Sequence, residues 1–323
     1  MRRWARGYHS SPAVLAAVKR ASHTRPILMG CIALSYLASI VAASAVGAYS
    51  WVWLPLPVAG AVHLLILVVN ARYIRALELL VHDGGHKNWW RASPVWNHRL
   101  TNWLAGSWVC SDVTAYAQGH NGFHHGGYGS PVDPDLARYN ALGIEDWDRS
   151  ALSPFVKGLL IRLPRYIGSY YRAIGATPRT LATFFGFHSI FCLLPLAVLS
   201  TPAMALALWG GFWGLAMSGP LQVIRLIGEA EEHVYRRGQT EFDTTVTNVG
   251  WLHHWLIHPY QDGYHLLHHL FPAIPEFRHK RFHRLLCELD PHGYGSRYLC
   301  RTRVVQEPRR AAEVTRGLNR VPA

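Results

Sequence analysis

Apolar positions along this chain fall into long uninterrupted blocks. Residues 27–70 and 181–224 contain no Lys, Arg, Asp or Glu, and each block is 44 residues long. About 20 apolar residues let a helix cross the ~30 Å hydrocarbon core of a bilayer. Each block therefore predicts two membrane-spanning helices joined by a tight turn. In the first, the turn falls near 49–57, where Ser50, Pro55 and Pro57 break the run and Trp51 and Trp53 suit an interface. In the second it falls at Ser200-Thr201-Pro202. The competing interpretation is two buried hairpins of a large soluble protein.

The flanks of these blocks are basic. Residues 1–26 carry six Lys/Arg and no acid, which makes them a basic cytoplasmic lead-in rather than a secretory signal. The 32 Lys/Arg divide as six before the first block, twelve in 71–180 and fourteen in 225–323, with none in the turns. By the positive-inside rule both termini and the middle segment face the cytoplasm. The expectation is an all-α membrane protein, with four transmembrane helices in two hairpins and a cytoplasmic helical cap. Its parts are a basic segment 1–26, hairpin 27–70, a cytoplasmic and interfacial segment 71–180, hairpin 181–224, a cytoplasmic segment 225–300 and a basic tail 301–323. Residues 71–86 continue the second span as helix. Residues 99–110 and 155–172 mix aromatic, apolar and basic side chains, as helices lying on a membrane do. Residues 126–150, rich in Gly, Pro and Asp, read as loop. The last twenty or so residues read as a mobile tail.

Composition sharpens this picture. Hydrophobic residues make up 50% and charged residues 16%, against ~25% charged in soluble domains. The net charge of +13 would suit nucleic acid, but the charges flank the apolar blocks and face anionic headgroups instead. The expected partner is a membrane, with no nucleic acid. Five scattered Cys without a CxxC exclude a disulfide framework.

The chemistry lies in the 20 His. His82 and His86 stand four residues apart in HDGGH, a spacing that projects both rings from one helix face toward one metal. HNGFHH repeats the spacing with His120 and His124, and adds His125. HLLHH brings His265, His268 and His269. His233 follows the fourth predicted span. All nine sit in segments assigned to the cytoplasm. Neutral imidazole is a ligand for Fe, Zn, Cu and Ni. A single zinc site needs three or four ligands, so nine clustered His point to two metals.

These motifs resemble the three histidine boxes of the integral-membrane fatty acid desaturase family. The resemblance extends to Gly129-Ser-Pro-Val-Asp133-Pro-Asp135-Leu after the second box, to Arg225 followed by Glu232-His233, and to Tyr264-His-Leu-Leu-His-His-Leu-Phe-Pro-Ala-Ile-Pro275. It covers roughly residues 30–290. It implies two iron ions held by His82, His86, His120, His124, His125, His233, His265, His268 and His269. It further implies O2 as co-substrate, a lipid or acyl-carrier substrate and a separate ferredoxin-like or cytochrome electron donor. The implied activity is desaturation of a lipid acyl chain. A hydroxylase, ketolase or oxidative decarboxylase acting on a fatty acid, alkane or carotenoid is the alternative. The chain departs from the family pattern at Leu267, where an acid is frequent, and at Gln261-Asp262-Gly263, where an Asn is common. Asp262 is the candidate to take that place beside one iron. Asp83 is a candidate to orient a ligand imidazole, with an exposed helix-end aspartate as the other interpretation.

The remaining His are set aside. His253, His254 and His258 lie in an aromatic stretch that suits headgroup-level packing, and His279 and His283 in a surface helix. No HExxH, paired ExxH, GxGxxG or P-loop motif is present, so electrons have to arrive from another protein. A His-rich metal transporter is the non-enzyme alternative, but it would place ionisable ligands within the spans, which here are nearly free of them.

Overall fold

The computed structural model describes residues 3–175 and 177–318. Seven of its α-helices begin with proline in the first position, where the missing N–H costs nothing. Helix α1 (Pro12–Ala21) leads into α2 (Pro26–Trp53), and the chain reverses at Leu54-Pro55 into α3 (Leu56–Gly85). At 1.5 Å per residue, the 30 residues of α3 run roughly 45 Å. Its first half pairs with α2, while nearly all of its last sixteen residues are buried. Then come α4 (Pro94–Leu104), α5 (Val113–Ala117), a π-helix at Gln118–His125, α6 (Pro134–Leu142) and the long α7 (Leu152–Gly175).

The second apolar block forms α8 (Pro178–His188) and α9 (Leu194–Leu199), joined by a π-turn. It reverses at Ser200-Thr201 into α10 (Pro202–Trp209) and α11 (Leu215–Ser218), again linked by a π-turn, and then α12 (Pro220–Glu232). Among the described residues two helices are long and apolar enough to cross a bilayer, Pro26–Trp53 and Pro178–Leu199. Asn70, fully buried in α3, ties the two blocks together. Its amide donates to Ser44 Oγ at 3.0 Å and to the Phe212 carbonyl at 3.1 Å.

The remaining chain builds a packed body over the ends of α3 and α12. It comprises α13 (Glu241–Thr244), α14 (His265–Leu270), α15 (His279–Leu289) and α16 (Ala311–Leu318). The architecture is mainly helical, but a small sheet stands beside the helices. Its strands β1 (Val246–Asn248) and β2 (Leu299–Arg301) run parallel, and β3 (Arg309–Arg310) pairs antiparallel to β2.

Two segments differ from their sequence reading. Part of the stretch 126–150 is helical, because Asp133 accepts from Asp135 N and Leu136 N and so caps α6. The segment 301–318 is ordered: Arg301 is buried and donates to the Glu231 carbonyl and to Asn248 Oδ1, both at 3.1 Å. Residues 319–323 lie outside the described residues. The N-terminal segment also packs, with Trp4 edge-on to Tyr128 and Tyr235.

Candidate metal centre

The nine clustered His come together from four elements and sort into two groups. His82 and His86 leave the last two turns of α3 on one face, their ring centroids 5.0 Å apart. The second box winds as a π-helix, in which residues five apart share a face. His120 and His125 therefore point the same way, Nε2 to Nε2 at 3.0 Å, and both join the α3 pair. His268 of α14 completes this first group, with Nε2 at 3.1 Å from His82, 3.3 Å from His120 and 2.8 Å from His125.

His124 turns the other way and meets His269, Nε2 to Nε2 at 3.1 Å. His265, four residues before His269 on α14, meets His233 at 3.2 Å. His233 follows the last residue of α12 in extended conformation, held by a bridge to Thr245. The groups adjoin, since the His125 and His269 rings are 4.6 Å apart.

This packing fits metal ions. The Nε2 atoms of His82, His120 and His268 form a triangle of 2.9, 3.1 and 3.3 Å sides. Each neutral ring has one N–H to share, so hydrogen bonds alone leave lone pairs facing each other. Metal–nitrogen bonds of ~2.0–2.1 Å set neighbouring nitrogens roughly 3 Å apart. Burial, reinforced by neighbouring imidazoles, pushes His82, His120, His125, His233, His268 and His269 well below the usual histidine range. Burial likewise brings His86 and His265 down to about 3. The rings are thus in the neutral form that binds metals. His124 is the exception: burial opposes its charge, but Asp135 and Asp133 raise it.

Carboxylates stand behind the rings. His82 Nδ1 lies 2.7 Å from Glu276 Oε1, and His124 Nδ1 lies 2.9 Å from Asp133 and 3.3 Å from Asp135. The Tyr128 hydroxyl and His233 Nδ1 share a hydrogen bond of 3.0 Å. For His124 and His233 the hydrogen-bonded partner on Nδ1 fixes the tautomer and turns Nε2 inward. Glu276 was not singled out from the sequence as a histidine partner. Nothing at that position marks it, since it lies six residues past the last helical turn of the box.

Asp83 is buried but hydrogen-bonds to no imidazole among the described residues. It accepts from Asn88 Nδ2 and Tyr260 Oη, each at 2.9 Å, and from Glu276 N. It thus acts one step removed, seating Glu276 beneath His82. Burial raises the Asp83 carboxyl to about 6. Asp262 sits 3.2 Å from His258 and 3.3 Å from Arg75, facing a cavity that His265 also lines.

Two sequence readings are corrected. His253 and His258 are fully buried rather than at headgroup level. Their nitrogens lie 3.1 and 3.4 Å from Glu231 Oε2. Trp251 and Trp255 take the outward side of that stretch, stacked on each other, while His254 stacks on Tyr264. His279 and His283 are also buried, against the Ile274 carbonyl and the Tyr294 hydroxyl, because α15 packs inward on that face.

One cavity of about 460 Å³ is lined by His82 and His120 of the first group and by His124 and His265 of the second. A substrate there would face both sets of rings. The family model described as fatty acid desaturase matches residues 53–301, which takes in every one of the nine His. Neither a curated protein nor a solved structure matches the chain.

Proposed function

The chain belongs to the fatty acid desaturase family, and on that premise we propose that it is a membrane-bound, O2-dependent oxidoreductase that desaturates a lipid acyl chain. The observation that carries the proposal is one cavity lined by His82 and His120 of the first group and by His124 and His265 of the second. The donor set offers nitrogen only, which suits two iron ions better than a hard cation. His82, His86, His120, His125 and His268 would hold one, and His124, His233, His265 and His269 the other.

Bound iron would supply O2 activation and the oxidising power to take hydrogen from an unactivated C–H. The chain's own residues do the rest. Asp133 holds the Nδ1 proton of His124, so its Nε2 lone pair stays directed inward. Tyr128 does the same for His233. The cavity walls hold the substrate against the rings, and orientation within them decides which carbon reacts.

In this reading the two apolar blocks anchor the protein as four spans, with α3 and α12 carrying the site past the membrane surface into a cytoplasmic cap. α3 is long enough for this, since its ~45 Å exceeds a ~30 Å bilayer core. Electrons come from a separate ferredoxin-like or cytochrome donor. Oxygen insertion by the same residues, giving a hydroxylase or ketolase, is the second reading, and the polar cavity wall favours it.

The test is the full chain in nanodiscs, loaded with iron and supplied with ferredoxin, its reductase and O2. Two irons per chain and a lipid product two mass units lighter support desaturation, and a product sixteen units heavier (an alcohol) or fourteen units heavier (a ketone) supports insertion. One tightly bound zinc and no O2-dependent product would overturn both.

A further inference from the structure

The cavity beside the two histidine groups has a charged wall, built from side chains such as Arg75, Glu78, Arg138, Arg225, Glu229 and Glu232. Most of these charges are spent on each other. Glu78 takes Arg225 at 2.7 Å and Arg75 at 3.4 Å, and Glu229 takes Arg138 at 2.6 Å and Arg225 at 3.0 Å. A bare alkyl chain laid along this wall would strip water from it and return no hydrogen bond.

Three polar groups in the wall are left over. Glu232 is 8% exposed, and its carboxylate makes no hydrogen bond among the described residues. Its nearest ionic neighbours, Arg75 and His265 Nε2, are both 3.9 Å away. Arg75 is also 8% exposed, and its Nε is buried with no acceptor. The Tyr170 hydroxyl is buried with no partner either. The leftovers are an acceptor, a donor and a hydroxyl, carried by three residues that line one cavity reaching the histidines.

We propose that the cavity recognises a substrate carrying a hydroxyl group close to the carbon that reacts, with Glu232, Arg75 and Tyr170 as its binding residues. A hydroxyl both donates and accepts, so it satisfies Glu232 and Arg75 together. An ammonium group only donates and leaves Arg75 Nε unpaired. A hydroxyl held on Glu232 is anchored within the space the two groups of rings share, which sets the neighbouring C–H against them. A site built to hydrogen-bond a hydroxyl rejects the analogue that lacks it by orders of magnitude. The inference rests on the oxidoreductase reading above and narrows its substrate to a hydroxylated lipid.

The test is binding, which needs no turnover. Tritium-labelled dodecanol, dodecylamine and dodecane are measured on the metal-loaded full chain in micelles by scintillation proximity, with metal content measured in parallel. Dodecanol should bind at least about tenfold more tightly than dodecane, and Glu232→Gln should remove most of that advantage with the metal content unchanged. Tyr170→Phe should remove part of it, and it carries the test if Glu232→Gln does not fold. Equal affinity for dodecanol and dodecane, absence of binding by all three, or an advantage unmoved by the variants would overturn the proposal. A preference for dodecylamine would replace the hydroxyl with an amine. Loss of metal from Glu232→Gln would make Glu232 a metal-holding residue instead. A protein that discriminates dodecanol yet forms no oxidised product keeps this site and fails the oxidoreductase reading, so the two failures are distinguishable.

Discussion

His82 Nδ1 and Glu276 Oε1 lie 2.7 Å apart, both side chains buried, with Asp83 bound to the Glu276 backbone beneath them. The ring at the start of the first histidine box therefore sits against a residue nearly two hundred positions later. Glu276→Ala should free the ring and weaken metal binding at the first group by ~10–100-fold. Glu276→Gln, which keeps the shape, should lose less. Iron titration followed by absorption spectroscopy checks both. Unchanged affinity in Glu276→Ala would show that the contact does not orient the ligand.

The division into groups of five and four makes a stoichiometric prediction. His268→Ala and His124→Ala should each abolish activity. His233→Ala leaves three nitrogens in the second group, so it should retain about one iron per chain and lose activity too. Iron content per folded chain is the measurement. Full iron content in His233→Ala would remove that residue from the centre.

His258 is clamped between Asp262 at 3.2 Å and Glu231 at 3.4 Å. Burial opposes its charge, but hydrogen bonds to both carboxylates raise it from 6.5 to about 9. A pKa raised on folding stabilises fully below the unfolded value, and the gain is lost as pH rises through the folded one. The Tm difference between the wild type and His258→Gln should thus be largest near pH 6 and shrink through about pH 9. Breaking a buried pair costs ~3–5 kcal/mol, so His258→Gln should unfold at lower temperature while its folded fraction keeps its iron. A difference constant with pH would mean that the imidazole is neutral.

Gly84 sits inside HDGGH where a Cβ would overlap the Thr101 side chain of α4. Gly84→Ala should cost ~1–3 kcal/mol through overpacking. Thr101→Ala removes the Cγ2 and Oγ1 atoms it meets and should recover part of that cost. Thermal unfolding of the two single variants and the double gives the coupling. Additive effects would place the strain elsewhere.

The proposed cytoplasmic placement of the site makes a topological prediction at Val132, which is exposed beside the second box. Val132→Cys, in a background with the other cysteines replaced, should react with an impermeant maleimide only after the cells are opened. Labelling of intact cells would invert the orientation.

The apolar blocks and the box spacings were legible in the sequence because each is a local property. A charge-free run of 44 residues constrains its surroundings whatever the rest of the chain does, and HDGGH on a helix places His82 and His86 on one face by geometry alone. How His120, His124 and His125 divide was not legible. An α-helical reading pairs His120 with His124, but the second box winds as a π-helix, and the wider turn sends His120 and His125 to one group and His124 to the other. The aromatic neighbours of His253 and His258 suggested a membrane surface. In the fold both rings turn inward against Glu231, more than twenty residues earlier on α12. Local pattern set which residues carry the chemistry. Pairings between distant segments decided which ring faces which, because a buried imidazole takes its orientation from whatever meets its second nitrogen.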